Sequence, residues 1–200
     1  MGWIDIEGVI PDRLAGLNGY EMECIAKIIA ILVYDPERKT MNETKLLVKV
    51  DKSDDVEQMK SQYTKYCWPL TMVDLYQEKL EGYTTCDLGY AMDLARSTLS
   101  ECAFVFAKNP SFERFFLNEE GMINGVRYKT RKPIKIHDLE ILFPSIPCWN
   151  AVGLIHGAVE RKDRLGMPMH DPAQENKYFA SYTLERDWLA AIKKQGFPFI

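Results

Sequence analysis

From Thr85 to Lys108 the apolar residues Leu88, Ala91, Met92, Ala95, Leu99, Cys102 and Phe106 recur at helical spacing. A chain with so long a one-sided stripe must build a second layer for it to cover. The pattern predicts one helix, capped by Thr85 and running to about Lys108, where Asn109-Pro110 stops it. With 200 residues, 46% of them hydrophobic and 27% charged, the chain can bury a full core without disulfide or metal staples.

Around that helix the expectation is an α+β fold: a single compact domain over 1–200, helix-rich, with a small antiparallel sheet. Within it, 1–118 forms a helical N-terminal part and 119–200 a part of hairpin plus helices. Trp3 to Ile10 alternates loosely and reads as a short strand. Tyr20 to Tyr34 reads as a helix apolar nearly all round, with a strand as the alternative, because Ile, Val and Tyr suit both. Lys45 to Val50 reads as a strand. Helices are expected from Asp54 to about Tyr66, from Thr71 to Glu81 with Gly82 as C-terminal cap, and as a short turn from Ser111 bearing Phe112, Phe115 and Phe116. Asn124-Gly125 between Met122-Ile123 and Val126-Arg127 is the strongest hairpin signal, since a type I′ turn needs positive φ at both central residues. Strands over Val126–Thr130 and Leu139–Phe143 are expected to follow. Helices over Trp149–Arg164 and Thr183–Gln195, with a loop from Gly166 to Pro172 between them, complete the reading.

Composition narrows the function. The longest apolar run, Cys24 to Tyr34, holds Lys27 and is about half of the roughly 20 residues a membrane span requires. The first residues lack a basic region followed by an apolar one, so export by a secretory signal is not expected. Five cysteines at 24, 67, 86, 102 and 148, with no Cys-x-x-Cys pair, fit free thiols in a reducing cytoplasm. A net charge of −4 gives no global attraction to nucleic acid. No P-loop, G-x-G-x-x-G, G-x-S-x-G or H-E-x-x-H run is present.

Pro147-Cys148-Trp149-Asn150 is the nearest approach to reactive chemistry, because a thiol at a helix N-terminus is held toward thiolate by the dipole. Over these four residues it resembles the nucleophile segment of papain-like peptidases. It departs from their pattern in that only His156 and His170 follow it. His156 would stand about 12 Å away along the same helix, which leaves His170 and His137 as bases. Cys67-Trp68 with His137 is the other arrangement. The plain reading is that the cysteines are small buried hydrophobes.

No two histidines stand at i, i+4 spacing, so no metal site and no cofactor is expected. The carboxylate pairs Glu21/Glu23, Asp54/Asp55 and Glu119/Glu120 read as structural. Arg127, Lys129, Arg131, Lys132 and Lys135 fall between Glu120 and Asp138 with no acid among them. This basic hairpin could meet an acidic protein face or lie along a phosphate backbone. The tail Phe197-Pro198-Phe199-Ile200 is apolar to its end.

The sequence therefore leads to a non-catalytic protein-binding or assembly domain, a homo-oligomer, adaptor or inhibitor. It would act through Arg127, Lys129, Arg131, Lys132, Lys135, Phe197, Phe199 and Ile200, with no membrane partner. A Cys-dependent hydrolase or transferase using Cys148 or Cys67 with His170 or His137 is the second reading. A nucleic-acid-binding accessory protein using 127–135 is the third.

Overall fold

The computed structural model describes residues 1–9, 23–49, 82–108, 110–118, 121–123, 126–128, 133–144 and 172–194. Its centre is a run of three antiparallel strands. β1 (Gly2–Val9) runs antiparallel to β2 (Glu23–Asp35), which runs antiparallel to β3 (Thr40–Val48). The helix expected at 20–34 is thus the strand alternative. Residues 26 to 32 are all buried, so β2 is covered on both faces and, apart from Lys27, which donates to the Val48 carbonyl at 2.8 Å, is apolar throughout that stretch rather than alternating.

β4 (Thr84–Cys86) lies parallel to β3 at one edge. The chain then crosses the sheet as α1 (Leu88–Ser100) and returns as β5 (Val105–Ala107), parallel to β1. The long helix expected over 85–108 is therefore shorter at both ends. Asp87, not Thr85, caps it, accepting from the Tyr90 N–H at 2.9 Å. Cys102 and Phe106 continued the helical spacing by coincidence. Val105, Phe106 and Ala107 are all buried in a central strand, where burial on both faces again erases the period of two.

α2 (Ser111–Asn118) follows as expected, then the hairpin β6 (Gly121–Ile123) and β7 (Val126–Tyr128), in the register that Asn124-Gly125 predicts, Ile123 opposite Val126. β8 (Ile136–Asp138) closes the other edge, parallel to β5. The strand expected over 139–143 is instead α3 (Leu139–Leu142), because Asp138 caps it through the Glu140 N–H at 2.9 Å. On the main path the order is β4-β3-β2-β1-β5-β8, with β6 added to the start of β2. β2 alone on that path runs against the rest.

α4 (Pro172–Leu184) and α5 (Trp188–Lys194) replace the helix expected over 183–195. Pro172 opens α4, where its missing N–H costs nothing, and Asp187 caps α5 through the Ala190 N–H at 2.9 Å. The helices expected over 54–66, 71–81 and 149–164 lie outside the described residues. Gly82 adopts φ +75°, a conformation that favours glycine.

Two cores sandwich the sheet. Ile4, Ile6, Ile29, Ile31, Leu46 and Val105 pack under α1 and α2 on one face. Trp3, Leu32 and Phe106 pack under α3, α4 and α5 on the other. The α+β domain is thus built as helices on both faces of a mixed sheet. Among the described residues no helix is long and apolar enough to cross a membrane.

A cluster of carboxylates where two strands part

β1 pairs with β5 only through Gly2 and Trp3, and β5 ends at Ala107. From Asp5 onward β1 runs on beside no continuation of β5. The chain turns from β1 back into β2 on one side, and from β5 away into α2 on the other. The carboxyl ends of strands whose connections diverge are where open α/β sheets present their ligand sites.

The pleat puts Asp5 and Glu7 on one face of β1, two residues apart, while Ile4 and Ile6 point into the core beneath α1 and α2. α4 brings a third carboxylate. Asn176, 2% exposed, donates from Nδ2 to the Ala30 carbonyl at 2.9 Å, and Trp3 Nε1 donates to Thr183 Oγ1 at 3.3 Å. These bonds fix α4 across β1 and β2 and set Glu175, in its first turn, over the strand. Carboxylate oxygens of Asp5, Glu7 and Glu175 all lie within 4.8 Å of one another, each side chain half-buried.

α2 supplies a fourth acid. Glu113 is 4% exposed, and its Oε1 accepts the Ile6 N–H at 3.2 Å, taking the place a longer β5 would have filled. Burial, then the Asp5 charge, push its carboxyl well above the usual range; bonds from backbone N–H groups oppose this, and Glu175 adds to the rise. Four acids from three elements therefore share one field. An arrangement of like charges this close is unfavourable unless protons or cations compensate it. All its donors are carboxylate oxygens, which select hard divalent ions such as Mg2+ and Mn2+. Such an ion would be held by Asp5, Glu7 and Glu175, with Glu113 beside them.

None of these four acids was singled out in the sequence. The available signal was Asp5-Ile6-Glu7 within a strand, where a spacing of two sets both carboxylates on one face. Glu113 and Glu175 carry no such signal, since only the packing of α2 and α4 brings them to β1.

The residues that were singled out fall elsewhere. His137, 3% exposed on β8, stands among rings, 5.7 Å from the Phe106 centroid and 6.0 Å from that of Phe104. Burial, with Lys135 and Arg114 nearby, lowers its pKa to about 4, so the imidazole is neutral at pH 7. Cys86 is buried and Cys102 half-buried, and burial raises both thiols. Cys24 is a residue of β2, paired with Ile123. Cys67, Cys148, His156 and His170 lie outside the described residues, as do Lys129, Arg131, Lys132, Phe197, Phe199 and Ile200.

Of the basic hairpin, Arg127 stands in β7 opposite Met122, and Lys135 is exposed just before β8. β6 pairs with Glu23 and Cys24, next to Ile25, which pairs with Val9 of β1. The hairpin thus extends the sheet at the end of β1 that carries Glu7. No protein-family model matches this chain, and no curated protein matches it.

Proposed function

We propose that this protein is a divalent-cation-dependent hydrolase of nucleic-acid phosphodiesters. The observation that carries the reading is the convergence of Asp5, Glu7 and Glu175 on one point, with the buried Glu113 against them. Carboxylate-held Mg2+ or Mn2+ keeps open positions for water and for phosphate oxygens. An ion held there by Asp5, Glu7 and Glu175 would supply polarisation of the phosphoryl group and a positioned, more acidic water. Water then adds across one P–O bond, leaving a phosphate monoester on one product and a hydroxyl on the other.

The basic segment supports a polyanionic substrate over a small phosphate ester. Its hairpin joins β2 at Glu23 and Cys24, past the end of β1 that carries Glu7, so the hairpin and the cluster lie toward one end of the sheet, where a cationic ribbon would attract a phosphate backbone. The cluster itself would repel that backbone without its cations, which makes the cation requirement absolute.

The test is incubation of the protein with labelled single- and double-stranded oligonucleotides in EDTA, Mg2+ or Mn2+, beside the Asp5→Asn and Glu175→Gln variants. Cleavage is expected only with the cation. Each variant should lose at least about 100-fold, since changes one shell further out already cost 10–100-fold. Unchanged thermal stability in Mn2+ together with no cleavage of any oligonucleotide would remove the proposal.

A further inference from the structure

α4 carries more than Glu175. Tyr178 and Tyr182 follow it at i+3 and i+7, so the three share one flank of the helix, about 4.5 and 10.5 Å along its axis from the acid. The opposite flank is engaged otherwise, with Lys177 Nζ 3.1 Å from Glu43 Oε1 on β3. Both tyrosines are only half-buried, their ring centroids 6.1 Å apart. Phe143, just past α3, meets Tyr182 edge-on at 5.8 Å and backs the row. Just beyond the end of α4, the Arg186 guanidinium carbon lies 3.3 Å from the Tyr182 ring centroid. At that distance the guanidinium plane covers the ring. Its Nη1 donates to the Tyr182 carbonyl at 2.9 Å, which holds it there, and Glu185 Oε2 is 4.0 Å away in the open.

We infer that this row, Tyr178 followed by Tyr182 with Arg186 stacked on it, seats the bases of a single nucleic-acid strand whose phosphate lies at the carboxylate cluster. The inference rests on the phosphodiesterase reading for its direction, since Glu175 is where the row meets the cluster. Flat π faces at intervals along a groove bind successive bases without regard to sequence, and a guanidinium plane serves as well as a ring. A duplex offers no base faces to such a row, so the row selects single strands.

The experiment is fluorescence anisotropy in Ca2+ with a labelled decathymidylate and with the same strand carrying abasic residues at its last three positions at each end. The wild-type protein should bind the intact strand at least about tenfold more tightly, as the loss of one or two stacked bases implies. Tyr178→Leu keeps an apolar side chain against the core but has no π face, and should bind both strands alike, as the abasic strand binds wild type. Tyr178→Phe should retain the preference. Arg186→Ala, an exposed change beyond the helix, should reduce it and serves if Tyr178→Leu does not fold. Equal binding of the two strands by wild type would overturn the inference, and so would an unchanged preference in Arg186→Ala together with folded Tyr178→Leu. A preference for the intact strand without cation-dependent cleavage would leave the strand seat standing while removing the hydrolase reading.

Discussion

The surroundings of two buried ionisable side chains, Glu113 and His137, shift them in opposite directions. Glu113 has a folded-state pKa above its unfolded value, so the native state binds the extra proton, and stability falls as pH rises from the ordinary carboxylate range through the raised value. Glu113→Gln keeps an oxygen for the Ile6 N–H and removes the charge. It should raise the midpoint of thermal unfolding at pH 8 without divalent cations and shrink the further rise that Mn2+ brings, both measurable by calorimetry. His137 has a folded pKa of about 4 against the ordinary 6.5, so the unfolded chain binds the extra proton and stability is lost as pH falls between those values. The full shift corresponds to roughly 3 kcal/mol. In denaturant titrations at pH 7 and pH 4.5, His137→Leu should lose less stability than wild type over that window.

At the scale of elements, three aspartates decide where helices begin. Asp87, Asp138 and Asp187 each accept a backbone N–H in the first turn that follows. All three starts differ from the sequence reading, which put the first cap at Thr85, a strand over 139–143 and a helix from Thr183. Strand Val105–Ala107 was absorbed into a helix, since three residues buried on both faces carry no period to read. The basic hairpin is held at its root by Asn118, whose side chain both donates to the Ile134 carbonyl and accepts its N–H at 2.6 Å. Asn118→Ala leaves two backbone groups without that partner. It should cost about 1–3 kcal/mol and speed amide exchange at Ile134 while leaving β1 and β2 protected. Phe106 holds the opposite layer: it is fully buried, its ring 5.7 Å from Trp3 and 5.9 Å from Trp188. Phe106→Ala should cost about 3–5 kcal/mol, read as a lower midpoint in urea.

For the whole molecule, cation binding and folding are linked. Any ion that binds the assembled cluster and not the unfolded chain stabilises by RT ln(1 + [L]/Kd), about 2.7 kcal/mol at a hundredfold excess over Kd. Because Asp5 and Glu7 come from β1 and Glu175 from α4, with Glu113 of α2 beside them, an ion held there would tie α4 to the sheet. Mn2+ is therefore expected to raise the unfolding midpoint in a single cooperative transition. Glu175→Gln should abolish most of that rise, whereas an exposed control such as Glu37→Gln, on the turn after β2, should leave it intact.

The sequence by itself determined the class of fold, the hairpin at Asn124-Gly125, the amphipathic helix ahead of Ser100 and the short aromatic helix after Pro110. Each of these is written in local spacing or turn chemistry. It also held, unread, the pairing of Asp5 with Glu7 on one face of a strand. Tertiary structure alone decided that 23–35 is a central strand, because a run apolar on every side looks the same in a buried helix and a buried strand. It alone decided where the chemistry gathers. Glu113 and Glu175 stand 108 and 170 residues from Asp5, at positions where nothing local sets them apart from other surface acids. Only the ending of β5 at Ala107, and the bonds from Asn176 and Trp3 that fix α4 across the sheet, bring their charges to the same stretch of β1.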